Sequence, residues 1–119
     1  MSLAAAFAAL ALATSAPASP RDISGDYVFE GSCPTLSPGY RGRLTIRREG
    51  IFHTMTWTIG GSTLVGRGLM SGRRMAVEFR DVASGEGGLM EMRRRGRHWR
   101  GIWAYRGYSE VCAETWAPA

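Results

Sequence analysis

The chain has 119 residues, two Cys and a net charge of +5, with 45% apolar residues. That bounds it to one domain with a modest core. No apolar run reaches the about 20 residues a membrane-spanning helix needs, and no metal-binding cluster of Cys and His is available.

Met1 to Ala18 carries no charge, and Leu3 to Ala13 is an unbroken run of Ala, Leu and Phe. Ala16-Pro17-Ala18 is a small-x-small site. The segment is expected to be a secretory signal peptide, residues 1–18, ending after Ala18. The mature domain, residues 19–119, is then periplasmic or secreted. All fifteen basic residues are Arg. A GC-rich coding sequence explains that bias more simply than a need for guanidinium chemistry. The charge favours anionic partners in general.

Short Gly-centred turns cut the remainder into strand-length pieces. The turn sites are Glu49-Gly50, Gly60-Gly61, Ser71-Gly72, Ser84 to Gly88, Arg95-Gly96 and Arg106-Gly107, and a longer loop, Gly31 to Gly39, precedes them. The expected strands are Asp26–Glu30, Arg41–Arg48, Ile51–Ile59, Ser62–Met70, Arg73–Asp81, Leu89–Arg94, Arg97–Tyr105 and Tyr108–Trp116. Met55, Trp57 and Ile59 alternate with Thr54, Thr56 and Thr58, the period of a half-buried strand.

Residues flanking a two-residue hairpin point to the same side of the sheet. Placing Met55, Trp57 and Ile59 inside therefore places Leu64, Gly66, Gly68 and Met70 inside. It then places Met75, Val77 and Phe79 inside, and, backwards, Ile46 and Leu44. Further on, Trp99, Trp103 and Tyr105 carry Met90, Met92 and Arg94 inward, and then Tyr108, Glu110, Cys112, Glu114 and Trp116. Leu89, Ile102 and Val111 fall on the outer face. The inward Gly42, Gly66, Gly68 and Gly101 either make room for indoles, bend the strands, or leave a cavity.

One apolar face on eight short antiparallel strands predicts an all-β, eight-stranded up-and-down barrel, with a flattened two-sheet sandwich as the alternative. Cys33 follows the first strand and Cys112 lies in the last. A disulfide between them suits an exported domain and a closed barrel. Closing so long a loop contributes about 4 kcal/mol in the chain-entropy model.

Strand direction gives the barrel a loop end, with Gly31–Tyr40, Gly60-Gly61, Val82–Gly88 and Arg106-Gly107, and a tight end. The tight end gathers Arg47, Arg48, Arg73, Arg74 and Arg93 to Arg97. Arg48, Arg73, Arg94 and Arg97 are the candidate anion site; the alternative is that the guanidiniums simply stay solvated. The candidate ligand-binding residues of the interior are His53, Trp57, Trp103, Tyr105 and Glu114. Glu114 either pairs with Arg48, Arg73 or Arg94, or contacts a ligand. No nucleophile elbow, zinc motif or phosphate loop occurs. No catalytic residue, cofactor or metal is expected.

Gly25-Asp26-Tyr27 at the opening of the first strand, the repeated x-Gly turns and Arg100-Gly101-Ile102-Trp103 together resemble the calycins, the lipocalin and avidin type barrels. Tyr27 stands where that opening carries Trp. The resemblance covers the mature chain in architecture and these few residues in motif. It implies a binding barrel.

The leading expectation is a non-catalytic exported barrel for a small or anionic ligand, with neither nucleic acid nor a membrane span. The alternatives are an inhibitor of an exported hydrolase and a barrel enzyme pairing His53 with Glu114.

Overall fold

The structure, a computed structural model, describes residues 22–119. The expected leader, residues 1–18, lies outside the described residues. Eight strands follow in order: β1 (Gly25–Cys33), β2 (Ser37–Glu49), β3 (Phe52–Ile59), β4 (Ser62–Ser71), β5 (Arg74–Asp81), β6 (Gly87–Arg95), β7 (His98–Tyr105) and β8 (Cys112–Pro118). Each pairs antiparallel with the next, and β8 returns to β1, from Tyr27 opposite Pro118 to Ser32 opposite Ala113. The sheet is thus a closed barrel, and the two-sheet alternative is set aside.

Three hairpins turn one residue later than expected, at Gly50-Ile51, Gly72-Arg73 and Gly96-Arg97; Gly60-Gly61 turns where expected. The first residue of each turn is a Gly with φ between 56 and 64°, and every residue of positive φ among those described is Gly. Two-residue hairpins with positive φ only at the first position demand Gly there, because a Cβ clashes in that region. The delay moves each register by two residues, so Met70 faces Met75 rather than Arg73. A shift of two preserves which side every residue faces. Leu44, Ile46, Met55, Trp57, Met75, Val77 and Phe79 are therefore buried as the alternation predicts. Ile51, expected to begin a strand, is instead an exposed turn tip.

The β7–β8 connection shows the same two-residue slip with larger consequences. Trp103 faces Cys112 and Gly101 faces Glu114. Tyr108 to Val111 lies outside β8, and Glu110 leaves the inner face altogether. Its carboxylate accepts hydrogen bonds from the Thr35 amide and hydroxyl and from the Leu36 amide, at 2.5 to 3.2 Å. The expected long loop Gly31–Gly39 shrinks to Pro34-Thr35-Leu36, with Cys33 paired to Ser37 across a bulge. Proline and glycine suggested a loop there, yet Pro38 and Gly39 are accommodated at the start of β2. The Cys33–Cys112 disulfide forms as expected, tying β1 to β8 across 79 residues of sequence.

The inward glycines make room for neighbouring backbone and for thioether and phenyl groups rather than indoles: at Gly42, Gly66 and Gly101 a Cβ would first meet the carbonyl oxygen of Thr58, Glu78 and Glu91. A Cβ on Gly68 would sit 2.6 Å from Met75 Sδ, and one on Gly42 would sit 2.7 Å from Phe29 Cζ. On the outer wall, Leu69, Leu89, Ile102 and Val111 are each about half exposed or more.

Alkylation without reductant should leave the intact mass of the folded protein unchanged. After unfolding and reduction, two adducts should appear. Adducts on the unreduced chain would exclude the bridge. Cys33→Ser with Cys112→Ser should cost about 4 kcal/mol of stability by chemical denaturation.

Candidate functional site

The two barrel ends are built differently. At the tight end, Asp22-Ile23-Ser24 folds across the opening. Ile23 is buried, its carbonyl accepts the Tyr27 hydroxyl at 2.7 Å, and the Arg48 amide donates to Ser24 Oγ at 2.9 Å. His53 lies beneath this segment and is only 3% exposed. Its Nε2 is 3.7 Å from Asp22 Oδ1, beyond hydrogen-bond reach, and both ring nitrogens lack a partner among the described residues. Burial pulls the imidazole below its ordinary pKa of 6.5, against the weaker pull of Asp22.

The loop end is open and leads to an interior cavity of about 230 Å³. Trp57 on β3, Phe79 on β5, Trp103 and Tyr105 on β7 form its aromatic wall. Phe29 on β1, Ser37 and Tyr40 on β2, Ile59, Leu64 and Met90 complete the lining, and Glu114 on β8 is its single carboxylate. The rings pack edge to face: Phe79 with Trp103 at 5.6 Å, Trp103 with Tyr105 at 5.1 Å, Trp57 with Phe79 at 6.2 Å. These are the separations at which ring quadrupoles attract.

Glu114 is 4% exposed and its contacts are specific. Oε2 accepts the indole N–H of Trp116 at 2.7 Å and that of Trp57 at 3.2 Å. Oε1 accepts the Tyr40 hydroxyl at 2.7 Å, and that hydroxyl accepts the Trp103 indole N–H, also at 2.7 Å. Indole nitrogen can only donate, so the network is anchored on Glu114 as acceptor. Burial holds the carboxyl above its ordinary 4.5, while the donors from Trp116, Tyr40 and Trp57 pull it down. Burial, and then the neighbouring carboxylate, raise the Tyr40 phenol. The expected ion pair with Arg48, Arg73 or Arg94 does not form. The two-residue slip of β8 carries Glu114 towards the loop end, away from those Arg.

Of the five expected ligand-binding residues, Trp57, Trp103, Tyr105 and Glu114 line one cavity. His53 does not. It lies four residues from Trp57 along β3, about 13 Å of strand, and its neighbouring carboxylate is Asp22. His53 and Glu114 are thus not the pair that the enzyme alternative requires. Tyr40 is the principal residue not anticipated. Continuing the inward alternation of Ile46, Leu44 and Gly42 two residues further back finds it, once β2 is allowed to extend through the expected loop.

The expected anion set separates too. Arg73 and Arg94 border one depression with Arg74, Arg93, Arg95 and Arg100. Arg48 turns to the Gly50 carbonyl at 3.3 Å, and Arg97 is a turn tip. Arg74, Arg93 and Arg100 stand directly opposite one another across β5, β6 and β7. The ion pairs among the described residues, Arg41–Glu30 and Arg67–Glu78, involve none of these six. Arg94 lies over the Trp99 ring at 5.9 Å.

Among the described residues no group of three or more metal-ligating side chains occurs, and no helix is long and apolar enough to cross a membrane. No protein-family model matches the chain, and a search of curated proteins finds no match.

Gln at position 114 can keep both indole contacts, since its carbonyl accepts Trp57 and Trp116, while its amide meets the Tyr40 oxygen as a donor and the Tyr40 hydroxyl proton loses its acceptor. Glu114→Gln should therefore fold, whereas Glu114→Ala strands two buried indole donors and should cost about 3 kcal/mol. The native carboxyl binds its proton more tightly than the unfolded one. Its favourable contribution is complete below pH 4.5 and is lost as pH rises through the folded pKa. The stability advantage of Glu114→Gln over the parent should grow as pH climbs from 4.5. Parallel stability profiles by guanidinium denaturation would refute this.

Proposed function

We propose that this protein is a non-catalytic binding barrel that takes a small molecule into the aromatic cavity at its loop end. The observation behind this reading is the cavity itself: a largely apolar cleft with a few polar groups, Glu114 and the hydroxyls of Ser37, Tyr40 and Tyr105, the usual make-up of a small-molecule site. At about 230 Å³ it is smaller than the roughly 300 Å³ at which drug-sized sites begin, so its occupant is small. A rigid barrel with the opening among its longer connections fits the same use. The calycin-like opening Gly25-Asp26-Tyr27 and the closed eight-strand order are compatible with membership of that group of binding barrels. Export through residues 1–18 would place the protein in the periplasm or outside the cell, where the disulfide is stable.

A second reading concerns the wall near the tight end. Like charges directly opposite across a sheet oppose pairing. The row Arg74, Arg93 and Arg100 would be relieved by a phosphate or sulfate group, so an anion there is a separate proposal. An inhibitor of an exported hydrolase is the reading from another functional class.

Titration with toluene, followed in N–H correlation spectra, should shift the indole signals of Trp57 and Trp103 and leave that of Trp99 nearly fixed. Leu64→Trp, which fills the mouth, should abolish the shifts without unfolding the barrel. An unresponsive Trp57 and Trp103 would end the binding-cavity reading. For the Arg row, sulfate should raise the melting temperature above chloride at equal ionic strength, and Arg93→Ala should reduce the difference to the general effect of sulfate on a folded chain.

A further inference from the structure

We propose that the ligand of this cavity is a small organic cation, a protonated amine or quaternary ammonium, held by Glu114 and the surrounding rings. The inference rests on the binding-cavity reading above and names the chemistry of its occupant.

The first argument is the missing counter-charge. Glu114 is buried, yet no Arg or His nitrogen of the described residues lies within 4.0 Å of its carboxylate. A buried carboxylate is costly unless a positive charge or enough donors accompany it. Two indoles and one phenol supply three donors. An ionised carboxylate offers about four acceptor sites, so one is left, on Oε1. Glu114 borders the cavity, so the group that completes it can come from a ligand there.

The second argument is the direction of the indole and Tyr40 donors around Glu114. Trp57 and Trp116 direct their N–H groups at Glu114, and Trp103 directs its own at Tyr40. With Tyr40 donating to Glu114, these groups keep no free donor for the cavity, and the remaining hydroxyls of the lining, Tyr105 and Ser37, carry no positive charge. An anionic ligand would meet a carboxylate and no compensating cation. A ligand that donates hydrogen bonds, or carries positive charge, meets an acceptor.

The third argument is the wall. Trp57, Phe79, Trp103 and Tyr105 converge with ring centroids 5.1 to 6.2 Å apart. The electron-rich faces of aromatic rings attract a cation, most strongly where water is excluded. An aromatic wall alone would accept any apolar molecule. A wall that surrounds an unneutralised carboxylate selects for charge.

The test compares choline with dimethylbutanol, its uncharged carbon isostere, in the full-length folded protein. Binding is read from the indole N–H signals of Trp57 and Trp103. Choline should bind at least tenfold more tightly than the isostere, although the isostere is the more hydrophobic. Glu114→Gln should reduce that preference at least fivefold. An isostere that binds the parent protein as tightly as choline would overturn the proposal and leave the binding cavity standing. If neither compound, nor toluene, moves the indole signals, both readings fall. The parent protein alone decides the matter should Glu114→Gln not fold.

Discussion

The side that each residue faces is conserved across every hairpin of this barrel, because the registers can change only in steps of two. Wherever one face of a strand is apolar, an odd shift would exchange core for solvent along its whole length. The turns obey that constraint. Gly50, Gly72 and Gly96 take up the positive φ themselves, and each turn forms one residue later than a simple reading places it. The result is a barrel whose lining is set by alternation alone. The height of each residue along the axis is set by where its turn closes.

That distinction decides the chemistry. Glu114 belongs on the inner face under either register. A two-residue slip determines whether it meets the Arg of the tight end or the rings of the loop end. The slip goes with contacts at and just before the start of β8: the disulfide joins Cys112 to Cys33, and Glu110 is held against Thr35 and Leu36. A carboxylate that could have been neutralised by a guanidinium is instead surrounded by indole and phenol donors.

The same division explains what the sequence made legible. Strand number, barrel closure, the disulfide and the inward set from Leu44 to Phe79 follow from period-two alternation and short Gly turns. So do Trp57, Trp103 and Glu114 as lining residues. The grouping of these residues depends on axial position, which alternation does not report. His53 shares the face of Trp57 yet lies under Ile23 at the other end. Tyr40 was hidden by the Pro and Gly around it, which suggest a loop although β2 continues through them. The Arg crown dispersed for a related reason: Arg73 and Arg97 are turn residues, whereas Arg74, Arg93 and Arg100 meet only through cross-strand pairing.

Asp22-Ile23-Ser24 packs against the basic end of the barrel, with Ile23 buried in the core, while the interior cavity opens at the other end beside Tyr105. The rim there is stiffened by the Cys33–Cys112 bridge and by the Glu110 contacts to the Pro34–Leu36 turn. Residence time would then be governed by ring rotation at the mouth, not by a swinging loop, and retention through dilution would not require unusual affinity.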